Sequence, residues 1–132
     1  MILSTIDVHS YDWHITICYN VNCNDVDNIL HKLNFLEISE SLKKEVKDIL
    51  YSCLPNVGFT YTNFIFRETL IVIGETTSFD EFLNTLTHEN MHAALHISEA
   101  NDLSPYSESP CYLLGSLIQH ESDIIKKFIC NR

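Results

Sequence analysis

The chain has 132 residues, 45% hydrophobic and 20% charged, a composition that fits one folded globular domain spanning 1–132 and excludes a disordered chain. Eighteen acidic against eight basic side chains give a net charge of −10, which argues against nucleic acid and against anionic membrane surfaces as partners. No apolar run is as long as a membrane span, and the first five residues lead into no secretory signal, so a cytoplasmic protein is expected. The five cysteines, Cys18, Cys23, Cys53, Cys111 and Cys130, are odd in number and form no CxxC pair, which points to reduced thiols.

Trp13, Ile15, Ile17 and Tyr19 alternate with His14, Thr16 and Cys18, the period of a half-buried strand. A helix is predicted over 25–36, with Val26, Ile29, Leu30 and Leu33 at helical spacing and Asn24 as N-cap. A second is predicted over 39–54, burying Leu42, Val46, Ile49, Leu50 and Cys53 and ended by Pro55 and Gly58. Residues 57–66 are rich in aromatic and β-branched side chains, and 69–73 form a continuous apolar run. These read as two strands, the second well buried, joined through Arg67-Glu68 and closed by Gly74.

Ser78 and Glu81 fit a capping box at the start of a third helix that runs to about Ala100. A turn over 101–107 precedes a last helix over 108–130, in which Pro110 is tolerated because it falls in the first turn. The expected class is α+β. A small, mainly antiparallel sheet packs on the third and last helices, and two helices come earlier in the chain.

The third helix carries His88-Glu89-Asn90-Met91-His92, an HExxH pentad. Residues four apart share a helical face, so His88 and His92 can present both imidazoles to one ion, with Glu89 placed to act as a base. On a helical wheel Phe82, Leu83, Leu86, Ala93, Ala94 and Ile97 gather on one side, assigned to the sheet. His88 and His92 lie on the far side, and Glu89 sits on the boundary between the two.

Catalytic zinc takes three protein ligands and keeps one open position. His96 lies eight residues beyond His88, roughly 12 Å along the axis, too far for one ion to bind both. It reads as a neighbour of the site, a group behind the ligands or a plain surface histidine. The longer pattern HExxHxxGxxH fails, because Leu95 and Ser98 occupy its glycine and third histidine positions. The third ligand is then a carboxylate, from Glu99, Asp102, Glu108, Glu121 or Asp123.

Glu108 is favoured, because it opens the last helix after a loop long enough to return to the level of His92. Glu108, Tyr112, Gly115, Gln119 and Ser122 form one polar, small-residue stripe there, and Gly115 would allow a close helix approach. Glu99 is the main rival.

With its HExxH pentad and later helical glutamate, the chain resembles the zincin superfamily, and within it the gluzincins, of which the thermolysin-like enzymes are the best-known group. That resemblance implies zinc held by His88, His92 and Glu108, with Glu89 as general base. Tyr112 departs from the pattern, since thermolysin-like enzymes carry an aspartate four residues after the ligand glutamate. The run from Phe82 to Glu89, with Glu108 and Tyr112-Leu113, also resembles small zincin-like proteins of bacterial and phage genomes.

The expected function is a minimal zinc metallopeptidase cleaving a peptide or protein substrate laid along an edge of the 57–73 hairpin, with Tyr106, His96 or His120 as oxyanion donor. The alternatives are a zinc-stapled, non-catalytic protein-binding module of the same fold, and a metal-free domain with a fortuitous pentad.

Overall fold

The structure, a computed structural model, describes residues 1–130. Its elements are β1 (Ile2–Val8), β2 (Trp13–Val21), α1 (Val26–Phe35), α2 (Glu40–Tyr51), β3 (Gly58–Asn63), β4 (Glu68–Gly74), α3 (Phe79–Ala100), α4 (Glu108–His120) and α5 (Ser122–Cys130). The sheet order is β1-β2-β4-β3. Strands β1 and β2 pair antiparallel, β2 and β4 parallel, and β4 and β3 antiparallel. The class is α+β as expected, with two of the three pairings antiparallel.

Side chains alternate across the pleat, so the central strands feed two separate cores. Ile15, Ile17 and Tyr19 of β2 and Ile71 and Ile73 of β4 pack with Phe82, Leu86, Ala93, Ala94 and Ile97 of α3 and with Leu113 and Leu117 of α4. Cys18, Leu70 and Val72 point the other way, into Val26, Ile29, Leu33, Val46 and Leu50 of α1 and α2. Helices therefore cover both faces of the sheet. This is why β4 reads as an unbroken apolar run and why Cys18 is buried although β2 alternates.

Several expectations are corrected. Strand β1 was not anticipated, because on this edge strand only Ile6 is buried and the periodic signal is weak. The first helix starts at Val26. Asn22, not Asn24, provides the cap, accepting from the backbone N–H of Asn24 in a short 3-10 turn over Cys23–Asp25. Leu42, Ile49 and Leu83 are partly exposed, so the buried stripes of α2 and α3 are narrower than their wheels suggest.

The last helix is two helices. They divide at Glu121, whose side chain turns into the core. Gly115 is not a contact point, since a Cβ added there would meet nothing within 4 Å.

Cys23 and Cys53 form a disulfide with Cα atoms 5.1 Å apart, which overturns the expectation of five reduced thiols and the argument for a reducing compartment drawn from it. Sequence spacing could not reveal the pair, because the α1–α2 hairpin brings the two residues together. Cys18 and Cys111 are free, and the side chain of Cys130 lies outside the described residues. Among the described residues no helix is long and apolar enough to cross a membrane.

Candidate metal centre

Helix α3 starts where Ser78 accepts a hydrogen bond from the backbone N–H of Glu81 at 3.1 Å. Its apolar stripe lies on the sheet, yet Thr85, Glu89, Asn90 and Ser98 are buried with it. Two of these satisfy their donors on the helix itself: Asn90 Nδ2 donates to Leu86 O at 2.9 Å, and Ser98 Oγ to Ala94 O at 2.8 Å. With the stripe anchored, His88 and His92 project from the opposite, exposed side.

The ligand atoms of His88, Glu89 and His92 all lie within 4.8 Å of one another. The two Nε2 atoms are 3.2 Å apart. Ligands bound near 2.05 Å in a tetrahedron stand about 3.3 Å apart, so this pair matches one edge of a zinc coordination sphere. Glu89 Oε2 is 3.9 Å from His88 Nε2. Glu89 itself is only 5% exposed, so its carboxyl is held in place by the protein rather than by solvent.

The holding group comes from the sheet. Thr60 Oγ1 donates to Glu89, at 3.0 Å from Oε1 and 3.1 Å from the main-chain carbonyl. Thr60 reaches the helix because β3 is an edge strand that approaches it closely at Gly58. A Cβ at Gly58 would stand 2.8 Å from Thr85 Cγ2 and 3.2 Å from Glu89 Cγ. Sequence reading passed over Thr60. The alternation Gly58, Thr60, Thr62, small and polar on one strand face, is the signal that could have found it.

His96 ends a polar chain that starts at buried Trp13 and Thr69 and reaches half-buried side chains. Trp13 Nε1 donates to Thr69 Oγ1 at 2.9 Å, Thr69 and Thr62 share a 2.8 Å contact, and Thr62 Oγ1 lies 2.8 Å from His96 Nδ1. Indole only donates. When Thr69 donates to Thr62 and Thr62 to Nδ1, every hydroxyl hydrogen in the chain has an acceptor and the His96 proton sits on Nε2. Burial, and next the neighbouring His92, hold the His96 pKa below its ordinary value. A ring in this tautomer donates from its outer nitrogen, consistent with a neighbour of the site rather than a ligand.

Glu108 occupies the exposed first turn of α4 and is not among the residues whose ligand atoms gather with His88 and His92. The α4 residue that lines the space beside the histidines is Leu114. It lies six residues further on, roughly 9 Å along the axis and about 120° round from Glu108. Glu121, another of the candidate carboxylates, is buried against Tyr19. Tyr106 is 96% exposed and His120 is also exposed, which leaves His96 as the donor candidate on α3 itself.

Two open clefts meet at His88. One, of about 390 Å³, is walled by Ile49, Val57 and Gly58 on one side and Thr85, His88 and Glu89 on the other. The second, of about 360 Å³, lies between His88, Met91 and His92 of α3 and Leu114 of α4. Asn84 borders both. No protein-family model, no curated protein and no solved structure matches this chain.

Proposed function

We propose that this chain is a zinc-dependent hydrolase of zincin-like fold, a minimal metallopeptidase acting on a peptide or protein substrate. The observation that carries the reading is the convergence of His88, Glu89 and His92 beside an open cleft, with the Glu89 carboxyl buried and oriented by Thr60. Two surface histidines with no shared task need neither the buried acid nor the donor from another element.

His88 and His92 would hold the zinc, and Glu108, whose carboxyl stands outside their cluster, would turn in from α4 to serve as third ligand. When bound, zinc supplies Lewis acidity and makes water acidic near neutral pH. Glu89 takes a proton at Oε2, the oxygen that Thr60 leaves free, and returns it to the departing amine. His96, donating from Nε2, faces charge that develops on the carbonyl oxygen. Strand β3 offers a sheet edge along which an extended peptide can pair.

The deciding experiment compares wild type, His88→Ala, Glu108→Ala and Glu89→Gln for bound zinc and for hydrolysis of a denatured-protein substrate. About one equivalent of zinc is expected in wild type and Glu89→Gln, with loss in the other two. Hydrolysis is expected in wild type alone. A zinc-replete wild type that cleaves nothing sinks the enzymatic reading.

A further inference from the structure

The back of the metal-bearing helix holds a carboxyl that the proposed chemistry does not use. Glu121, at the junction of α4 and α5, is fully buried. Tyr19 of β2 donates to its Oε1 at 2.6 Å. Asn90, the middle residue of the HExxH pentad, sets its carboxamide against the same carboxyl. Two acceptors in this cluster, Asn90 Oδ1 and Glu121 Oε2, are buried without a hydrogen-bond partner. A buried acceptor left without a donor loses its bonds to water with nothing in return.

We infer that Glu121 is protonated in the folded protein and acts as a positioning residue for the metal centre, its Oε2–H donating to Asn90 Oδ1. One proton on Oε2 satisfies both orphaned acceptors at once, and no other donor is needed. The consequence for the site follows from helix geometry. Asn90 lies about 200° round the helix from His88, and His92 a further 200° on, so Asn90 anchors the side opposite the imidazoles. A tether there fixes the roll of α3 about its axis, and the roll decides where His88 and His92 point.

The surroundings agree. Burial raises the carboxyl to about 7, outweighing the Tyr19 hydrogen bond that favours the charged form. Tyr19, the titratable group facing it from β2, is itself held far above its ordinary range, first by burial and then by Glu121. Asn90 of α3 is neutral, and Ser4 of β1 stands behind Tyr19.

A carboxyl raised on folding keeps its proton where the unfolded chain has lost it. Its stabilising effect is therefore complete below the ordinary value of 4.5 and lost as pH rises through about 7. Between those limits the folding constant falls by roughly 300-fold on this account.

The test uses the full chain, with Glu121→Gln as the neutral isostere. Its amide offers Oε1 to Tyr19 and an N–H to Asn90. Zinc-free wild type is expected to lose thermal stability from pH 5 to pH 8 relative to the variant, which binds zinc within about twofold of wild type at pH 6. Parallel pH profiles, or a variant that folds but binds zinc tenfold more weakly, overturn the inference.

If Glu121→Gln does not fold, infrared difference spectra of wild type decide. A protonated carboxylic acid band at pH 6 that disappears by pH 8.5 supports the proton, and its absence at pH 6 refutes it. Only the zinc arm rests on the metal reading. The stability and infrared arms stand or fall without it, so the two failures are distinguishable.

Discussion

Thr60 and Glu89, 29 residues apart in the chain, are joined by a hydroxyl that lies 3.0 Å from Oε1 of the carboxyl and 3.1 Å from the carbonyl of the same residue. The edge strand is thereby pinned to α3 at the residue proposed as base. With Oε1 engaged, Oε2 is the oxygen turned towards His88, at 3.9 Å. The threonine thus determines which carboxylate oxygen faces the imidazole.

Thr60→Val keeps the shape and removes the donor. A hydrogen bond to a carboxylate contributes about 1.5–3 kcal/mol, so hydrolysis is expected to fall by roughly 10- to 100-fold. Zinc affinity should stay within about twofold, because neither imidazole is touched. Thr60→Ser should restore most of the rate. Equal losses in zinc binding and turnover, measured by competition with a chelating dye, would show that Thr60 supports the helix as a whole and not the base.

Gly58→Ala tests the close approach that makes the Thr60 contact. The added methyl would meet Thr85 Cγ2 at 2.8 Å and the Val72 carbonyl at 3.0 Å, and a main-chain carbonyl cannot swing aside. Overpacking of this kind costs about 1–3 kcal/mol. The strand should lift from the helix, so turnover should drop together with the urea midpoint. A variant as stable and active as wild type would show that β3 has slack at this point.

The sequence disclosed most where a local rule and the packing agree. Helix α3 was legible from Ser78 and from a wheel that separates Phe82, Leu86 and Ile97 from His88 and His92. Strand β4 was legible because a strand covered on both faces is apolar throughout. Longer-range facts left no such mark. Glu121 looks like any helical acid until Tyr19, 102 residues earlier, is brought against it. Cys23 and Cys53 carry no pairing signal until α1 and α2 fold into a hairpin. Glu108 met the reach requirement along the chain, but a sequence does not show how α4 is rotated, and its carboxyl stands outside the cluster of His88, Glu89 and His92.

Zinc itself should report on the fold. A ligand that binds only the native state stabilises it by about 2.7 kcal/mol at a hundred times its dissociation constant. The melting temperature of wild type is expected to rise by several degrees with added zinc and to fall back with a chelator. His92→Ala should show no response, while melting near the zinc-free wild type, since its ring is on the exposed face. A zinc-dependent rise that survives His92→Ala would place the metal elsewhere.

The disulfide bears on the site through the connection that follows it. Cys53 closes α2, and Cys23 and Cys53 line a cleft with Pro55 and Val57, whose chain continues into Gly58 and the metal-side cleft. Cross-linking residues 30 apart removes denatured-state entropy equivalent to about 3.5 kcal/mol. Cys53→Ser should therefore lower stability by about 2–4 kcal/mol, and a reductant should do the same to wild type and nothing further to the variant. Because the loosened segment walls the cleft and does not touch the imidazoles, KM for a long peptide should rise several-fold while zinc affinity holds. A variant whose zinc affinity falls in step with its stability would mean that the α1–α2 hairpin supports α3 itself.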